Sequence, residues 1–350
     1  PVRPPHETSS VSLMSVGYDP RVAEWSPWHG AQTAVLSSLA KITCVGGKAT
    51  TCRMSYQEFF GRAVDEKTWG YPAAALLGSV DAQNAMGTAS IGGKDSMSGT
   101  FEKMNVPHTL VSFAVAHDEA QHVTSGSFKK GGDFIYLAQV PYTAELAPNY
   151  DTFSKNSDAL NELNSKGKIY AMYPVGPGGI AESIVKMAFG NKIGAAINAV
   201  PSSATAIGFH RNVNNTIADL FTPLYGSMIV ETDIKLEDAP GLVNGTVVKI
   251  GFTQNQEEIT LSTTGLNPLP EVSVKLSELY DAWESKLAKV FPPVSGAQPL
   301  AALPQFATDV HESLAKARSS FSYTMGKTKP RVVVPVFPGT NCEFDMARAF

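Results

Sequence analysis

The stretch TASIGGKDSMSGTF, residues 88–101, concentrates residue types that bind phosphate. Gly92 and Gly93 can turn their N–H groups toward a common anion, and Lys94 adds a positive charge. The alternative is an ordinary tight turn in which Lys94 and Asp95 pair with each other or with solvent. The candidate anion-binding residues are Gly92, Gly93, Lys94, Asp95, Ser96 and Ser98.

This glycine-rich segment does not match the Walker A pattern G-x-x-x-x-G-K-[ST]. Thr88 occupies the first glycine position, and Asp95 stands where a hydroxyl would hold Mg²⁺. The segment does satisfy the GGxDS core of AMP-forming ATP pyrophosphatases. Those enzymes place the motif between a strong strand and a long helix, whereas the sequence here predicts a weak strand and a poor helix. The AMP-forming class is therefore the less favoured alternative.

A second glycine turn, VGPGG, immediately precedes a predicted helix. The first turn of a helix has free N–H groups and the positive end of the helix dipole, which together favour an anion. Glu182 lies in this first turn, where a carboxylate is equally well explained as compensation of the dipole. The candidate residues of this turn are Gly176, Gly178, Gly179 and Glu182.

Composition excludes several function classes. The net charge is −4 with no basic block, so the sequence predicts no nucleic-acid partner. Its apolar runs are far shorter than the ~20 residues of a membrane span, and no secretory signal opens the chain, so we expect no membrane partner and a cytoplasmic location. The three cysteines have no paired spacing and histidines are not clustered, so no metal site is predicted. The ends of the chain suggest a piece of a longer protein.

Hydrophobic spacing predicts three helices in the first part of the chain: residues 30–43, a helix opened by a capping box of Ser55 and Glu58, and one that starts at Pro72. A buried strand is predicted over residues 109–116.

The second part of the chain alternates helices with strands. A helix at 154–167 and one after VGPGG are followed by the strands IGAAI, YGSMIV, TVVKIGF and EITLS. A further helix, SVKLSELYDAWESKLAKVF, precedes a proline-rich connector and the strand RVVVPVF. This mixture predicts an α/β and α+β protein with a boundary between residues 117 and 131.

Several long segments occur in a specific order: SYQEFF, WGYPAAALLGSVDAQNAMG, IGGKDSMSGTF, NVPHTLVSFAVA, GGIAESIVKMAFGNKIG and YGSMIVE. In this order, over residues 10–265, the chain resembles the large single-chain form of phosphoribosylformylglycinamidine synthase. The resemblance implies an aminoimidazole ribonucleotide synthetase-like half, the second of two, with a barrel-forming dimerising subdomain and an α+β subdomain. The segment KPRVVVPVFPGTNCEFDMARAF resembles the start of that family's flavodoxin-like glutaminase domain.

Domain limits follow from this resemblance. It implies a first synthetase subdomain at 1–120, a second at 121–265, a helical linker at 266–328 and a truncated glutamine amidotransferase domain at 329–350. The expected partners are the upstream synthetase half and the downstream glutaminase domain.

The resemblance also implies an activity, that of a ligase of purine biosynthesis. With ATP and Mg²⁺ in the complete enzyme, formylglycinamide ribonucleotide and glutamine are converted to formylglycinamidine ribonucleotide, ADP, phosphate and glutamate. The isolated chain is expected to be inactive, because the family's main ATP site lies in the upstream half. A non-catalytic structural half is a further alternative.

Site residues carry over only where the motifs match. The family's second half brings the loop matched by Gly92–Ser96 to the substrate's ribose phosphate, and its VGPGG-like turn belongs to an auxiliary nucleotide site. In better-known members an Asp precedes the two glycines of that turn and helps to hold Mg²⁺, whereas this chain has Pro177. The acid and amide ligands expected on the helix at 30–43 are also not apparent among Val35, Leu36, Ser37, Ser38 and Leu39. No catalytic residue is assigned to this chain.

Overall fold

The computed structural model describes most of the chain: residues 9–199, 217–237, 239–262, 270–291, 332–336, 340 and 342–349. Internal contacts divide the chain into two units, Pro1–Lys289 and Val290–Phe350. In the part of the second unit that is described, the regular element is helix α7, Glu343–Ala349.

The first sheet of the larger unit has four strands, in the order β1-β6-β2-β3. Strand β6 is antiparallel to both of its neighbours, and β2 is parallel to β3. A separate short hairpin, β4 and β5, lies between β3 and β6 in the chain. The elements of this part are β1 Ser10–Gly17, α1 Pro20–Trp25, α2 Pro27–Cys44, β2 Arg53–Phe59, α3 Glu66–Met86, β3 Ala89–Ser96, β4 Thr100–Phe101, β5 Met104–Asn105 and β6 Thr109–Glu119.

The second sheet has seven strands, in the order β13-β12-β9-β11-β7-β10-β8. Its strands are antiparallel except for the pair β9 and β12. The elements of this part are β7 Phe134–Ala138, α4 Tyr150–Ser165, β8 Ala171–Pro174, α5 Gly179–Phe189, β9 Gly194–Ile197, β10 Met228–Thr232, β11 Val247–Gln254, β12 Glu258–Leu261, β13 Val272–Lys275 and α6 Leu276–Glu284.

Helix α2 is the central element of the first part. Its side chains are buried along almost the whole length, and it contacts α3, β1, β6 and also β8 of the second sheet. Small residues permit this close packing. A side chain on Gly78 of α3 would place its Cβ 2.2 Å from the carbonyl oxygen of Trp28, so the two helices meet through bare backbone at this point.

The two faces of the seven-stranded sheet carry separate clusters. Phe153 and Leu160 of α4 pack in one hydrophobic cluster, which continues into the core beneath the first sheet. Ile180 and Ile184 of α5 pack in the other cluster, with Leu137 of β7. Helices therefore cover both faces of this sheet, in keeping with its mixed topology.

The outer face of the first sheet is uncovered in this chain. In the antiparallel register of β1 and β6, Met14 lies opposite Val115 and Val16 opposite Phe113. These four side chains point away from α2 and are 75, 42, 43 and 41% exposed in the order named. We call this apolar surface, Met14, Val16, Phe113 and Val115, the outer face.

Most of the predicted helices and strands are present. The helices expected at 30–43, at 154–167 and after VGPGG appear as α2, α4 and α5, and the strand expected at 109–116 is β6. The strands predicted in IGAAI, YGSMIV, TVVKIGF and EITLS appear as β9, β10, β11 and β12. The strand β1, the short helix α1 and the strand β8 were not predicted.

The helix predicted from the capping box of Ser55 and Glu58 is wrong, because these residues lie in strand β2. Burial alternates along β2, with Met54, Tyr56 and Glu58 inside, and this period of two is typical of a strand. The S-x-x-E spacing is thus a coincidence of a strand that carries one inward-facing carboxylate.

Three other elements differ from their prediction, either in where they begin or in their type. Helix α3 begins six residues before Pro72, where the side chain of Asp65 accepts a hydrogen bond from Thr68 N and caps the helix. The glycine-rich loop is a strand, β3. The helix expected over SVKLSELYDAWESKLAKVF starts as strand β13, since residues 272–275 pair with β12.

Two predicted segments near the end of the chain lie partly or wholly outside the described residues. Residues 332–336 of the predicted strand RVVVPVF form no strand, and its remaining residues lie outside the described ranges. The proline-rich connector also lies outside them. No helix of the described residues is long and apolar enough to cross a membrane.

The backbone contact at Gly78 leads to a stability prediction. Alanine is favoured over glycine in a helix by about 1 kcal/mol, but here its Cβ would overlap the Trp28 backbone, and overpacking of this kind costs typically 1–3 kcal/mol. We expect Gly78→Ala to lower the free energy of unfolding in denaturant titrations.

The same helix provides a matched control. Gly70 also lies in α3, and a Cβ there would have no neighbour within 4 Å. Gly70→Ala should therefore raise the unfolding free energy by about 0.5–1 kcal/mol. Equal effects of the two substitutions would contradict the close approach of α2 and α3.

Candidate functional site

The two glycines of the first candidate site lie within strand β3 and serve its pairing with β2. A register shift between Met54 and Ser55 places a bulge near Gly92, whose φ is 153°. Gly93 lies against β2, and a Cβ there would be 2.5 Å from the carbonyl oxygen of Tyr56. These glycines thus have a structural reason to be present, apart from any ligand.

Lys94 and Asp95 point to opposite faces of the sheet, because successive side chains alternate along a strand. Lys94 pairs in register with Gln57 and lies on the same side as the outer face, whereas Asp95 pairs with the buried Glu58. The Lys94 ammonium donates to the Asp95 carbonyl oxygen at 2.9 Å. The alternative expectation of a side-chain pair between Lys94 and Asp95 is therefore not what the structure shows: Lys94 donates to the Asp95 backbone, not to its carboxylate.

The rest of the segment continues past the end of β2 and stays hydrogen-bonded to Phe60. The Ser96 carbonyl accepts a hydrogen bond from Phe60 N at 2.9 Å, and Gly99 N donates to the Phe60 carbonyl at 2.9 Å. Ser98 is exposed between them. The structure therefore presents Lys94 and Ser98 at an open edge of the first sheet, without a second wall among the described residues.

Glu58 is a buried carboxylate on the neighbouring strand β2, and no sequence pattern predicted its burial. It is 5% exposed, and among the described residues its Oε1 atom has no hydrogen-bond partner. Burial and, to a lesser degree, the nearby charge of Asp95 raise the pKa of Glu58 to about 7.

The second candidate site, the VGPGG turn, is compact. Gly179 N donates to the Gly176 carbonyl at 3.0 Å, and Gly179 has a φ of 72° that suits glycine. The Glu182 carboxylate accepts hydrogen bonds from Gly178 N and from the Lys186 ammonium, both at 2.6 Å. Burial acts to raise the pKa of Glu182, but these two hydrogen bonds outweigh it and hold the pKa below its usual value.

The structure therefore brings three of the predicted residues, Gly178, Gly179 and Glu182, into one closed arrangement. The N–H of Gly178, which was expected to face an anion, donates its hydrogen bond to the Glu182 carboxylate instead. This arrangement agrees with the alternative expectation, in which Glu182 compensates the dipole at the start of α5.

A cavity of about 140 Å³ lies beside this turn, between α2, β8 and α5. Two of its lining residues, Lys41 of α2 and Lys186 of α5, are cations that the sequence did not single out. They are 145 positions apart, so no short motif connects them. The cavity is also lined by Tyr18, Ser37, Tyr173 and Tyr225.

One wall of this cavity is fixed by a buried acid. Asp19 is 2% exposed and caps helix α1 by accepting from Arg21 N at 2.8 Å. The Arg21 guanidinium and the Tyr225 hydroxyl both donate to the other oxygen of the same carboxylate. Because these donors satisfy Asp19, the acid serves as a structural anchor for Tyr225.

Among the residues that the structure describes, no group of three or more His, Cys, Asp or Glu side chains is placed to hold a metal ion. The cysteines Cys44, Cys52 and Cys342 are free, and the first two are buried.

Several known proteins are similar to this chain in sequence or in fold. No family model matches. The chain is 24% identical to the phosphoribosylformylglycinamidine synthase subunit PurL of Thermococcus gammatolerans over 261 residues, which cover 69% of this chain and 35% of that protein. It is 24% identical to the same subunit of Rhodopseudomonas palustris strain BisB18 over 208 residues, 54% of this chain and 28% of that protein. The chain thus spans 28–35% of the length of these relatives.

Solved structures with the same fold include PurL of Thermotoga maritima complexed with FGAR. It matches with a TM-score of 0.61 and 13% identity, and the match covers 77% of this chain and 46% of that one. A HypE–HypF complex matches with a TM-score of 0.51 and 12% identity, covering 76% of this chain and 89% of that one. At these identities the likeness shows the fold alone. The predicted aminoimidazole ribonucleotide synthetase-like class is confirmed at that level, and the flavodoxin-like glutaminase part stays a prediction.

The buried carboxylate near the first site leads to a pH prediction. In the folded chain Glu58 keeps its proton up to pH about 7, whereas in the unfolded chain it ionises above pH about 4.5. Stability is therefore lost as the pH rises through this window. We expect the stability of Glu58→Gln relative to the parent chain to increase between pH 5 and pH 8, by roughly 1–3 kcal/mol.

Thermal unfolding at several pH values would measure this change. Glu162→Gln is a suitable control, because Glu162 is an exposed carboxylate paired with Lys166 at 2.5 Å, and its pKa is lowered chiefly by that hydrogen bond. A difference between Glu58→Gln and the parent that does not vary with pH would mean that Glu58 is ionised in the folded state.

Proposed function

We propose that this chain is one part of an ATP-dependent synthetase of purine biosynthesis that converts formylglycinamide ribonucleotide to formylglycinamidine ribonucleotide. The observation that carries the proposal is the sequence similarity to PurL subunits over 261 residues, joined to the fold of PurL. Solved PurL structures include complexes with ATP and with FGAR. We assign the enzyme to the cytoplasm.

In this proposal the chain corresponds to the second synthetase half. Residues 1–120 and 121–265 form its two subdomains, 266–328 the linker, and 329–350 the start of a glutamine amidotransferase domain. The remaining partners are the upstream synthetase half and the rest of the glutaminase. Hydrolysis of glutamine in the glutaminase would supply the ammonia.

The role of this chain in the reaction is to bind the substrate phosphate. ATP, held with Mg²⁺ mainly by the upstream half, would activate the amide oxygen of the substrate for displacement by ammonia. Lys94 and Ser98 are exposed at the edge of β3, where they could donate to a ribose phosphate. A lysine–phosphate pair at 4 Å is worth about 1 kcal/mol in water and about 4 kcal/mol at an effective dielectric of 20, so a second wall is required.

The outer face supports the position of that wall. Its four apolar side chains lie on the same side of the sheet as Lys94, and contiguous exposed apolar surface marks an interaction site. We propose that the upstream half covers the outer face and thereby shields the phosphate from water.

Two alternative functions differ from the proposed one in the role they give to the GGKDS segment and to Lys94. For an AMP-forming pyrophosphatase, the GGKDS segment would connect a strand to a long helix, whereas here it lies inside β3 and leads to the short hairpin of β4 and β5. A non-catalytic structural half is the second alternative. It has the same fold but gives Lys94 no role in the reaction.

The proposed activity is tested by reconstitution. The 350-residue chain is mixed with a separately prepared upstream half, and ADP formation is measured with ATP, formylglycinamide ribonucleotide and ammonia. We expect turnover only in the mixture, with ADP and phosphate as products. AMP and pyrophosphate would favour the pyrophosphatase, and full turnover by this chain alone would contradict the proposal.

The phosphate role of Lys94 has its own test in the reconstituted enzyme. Since a remote phosphate is bound alike in the ground and transition states, Lys94→Ala should raise KM for the ribonucleotide, by about tenfold or more, with a smaller effect on kcat. Lys67→Ala, at an exposed lysine of α3, is the matched control and should leave both constants unchanged. An unchanged KM in Lys94→Ala would support the structural alternative.

The proposed interface can be tested without the reaction. Phe113→Asp places a charge in the middle of the outer face, so it should abolish co-elution of this chain with the upstream half in size-exclusion chromatography. Val123→Asp is the control, because Val123 is 47% exposed but lies outside the four-stranded sheet. Equal behaviour of the two variants would exclude the outer face as the contact surface.

A further inference from the structure

The cavity beside the VGPGG turn has a charge balance that suits an anion. Lys186 is paired with Glu182 at 2.6 Å, and Glu182 is held in addition by Gly178 N. Lys41 donates to the Val16 carbonyl oxygen at 2.6 Å, and no carboxylate of the described residues lies within ion-pair distance of it. A lysine has three donors, so Lys41 keeps hydrogen-bonding capacity and a positive charge without a counter-ion.

The surroundings of Lys41 strengthen this conclusion. Burial and then the positive charge of Lys186 lower the pKa of Lys41, which shows that both ammonium groups act on the same region. A bound anion would relieve both effects. Ser37, one helical turn before Lys41, also lines the cavity, and its hydroxyl is buried without a hydrogen-bond partner among the described residues.

Magnesium does not fit this cavity. The family resemblance implies an Asp before the two glycines of the turn, and the chain has Pro177 there. The carboxylate that does line the cavity, Glu182, is already engaged by two donors. A hard cation needs several oxygen ligands, and two lysine ammonium groups repel it.

The volume of the cavity indicates what it can enclose. Pockets for drug-sized ligands measure about 300–1,000 Å³. At about 140 Å³ this cavity encloses a small anion, and a larger ligand would extend beyond it into solvent.

We propose that this cavity is a metal-free binding site for a small oxyanion of the phosphate class. Lys41 provides the main charge, Lys186 a second one, and the Ser37 hydroxyl an additional donor. The site is separate from the substrate-phosphate site proposed at Lys94, and it does not depend on that assignment.

Titration calorimetry of the full chain with inorganic phosphate tests this proposal, with EDTA present throughout. We expect saturable binding of one phosphate that Mg²⁺, added in place of EDTA, does not strengthen. Lys41→Met keeps the apolar stem and removes the charge, so it should weaken binding by about tenfold or more, the loss expected for one charge-assisted contact. Lys155→Met, at an exposed lysine of α4, is the matched control and should bind like the parent chain.

A second control separates the two phosphate sites. Loss of calorimetric binding in Lys94→Ala, with binding retained in Lys41→Met, would assign the phosphate to the edge of β3 and overturn the present proposal. Tighter binding of ADP than of phosphate, or binding that requires Mg²⁺, would also overturn it, because either result defines a nucleotide–metal site. If Lys41→Met does not fold, as judged by circular dichroism, Ser37→Ala replaces it, and unchanged affinity in that variant counts against the site.

Discussion

The burial of helix α2 is the constraint on which the rest of the larger unit depends. This helix contacts the first sheet, α3 and β8 of the second sheet, so its position fixes how the two sheets are spaced. Such contacts require small residues at the points of closest approach: a Cβ on Gly17 would lie 2.0 Å from the Ala34 carbonyl oxygen, and one on Gly226 would meet the Leu36 side chain. Ser38 adds a specific polar contact, since its hydroxyl lies 2.9 Å from that of Ser112 in β6.

The location of α2 also determines which surfaces remain for ligands and partners. Because α2 and α3 occupy the inner face of the first sheet, the apolar side chains of the outer face remain exposed in the described part of the chain. The C-terminal part of α2 reaches the VGPGG turn, where Ser37 and Lys41 line the cavity together with residues of α5. Helix α2, which is needed for packing, thus also contributes Lys41 to the cavity beside the VGPGG turn.

Elements with a clear local signal could be predicted from the sequence. The apolar spacing of Ile180, Ile184 and Met187 defines one stripe of α5, and the alternation in TLVSFAVA defines β6, because each pattern matches the burial that the fold imposes. Strand β2 was missed since its third inward-facing residue is Glu58, which hides the alternation that Met54 and Tyr56 begin.

The local structure of the candidate site could not be predicted where the deciding contact is distant in sequence. Two glycines followed by charges indicate a loop when read alone, but pairing with β2 makes the same residues a strand and separates Lys94 from Asp95. Lys41 and Lys186 had no joint signal, because only the packing of α2 near α5 brings them to one cavity.

The VGPGG turn shows how the charged side chains around a glycine turn determine what its backbone can bind. The backbone still offers an N–H at Gly178, but Glu182 takes it, so an external phosphate would have to displace a carboxylate that also holds Lys186. That displacement would leave the Glu182 carboxylate without its partners in a site where burial already disfavours its charge. Lys41 has no carboxylate partner among the described residues, so an entering phosphate there displaces no internal anion. The α2 side of the cavity, and not the turn, is therefore the electrostatically favoured position for an anion.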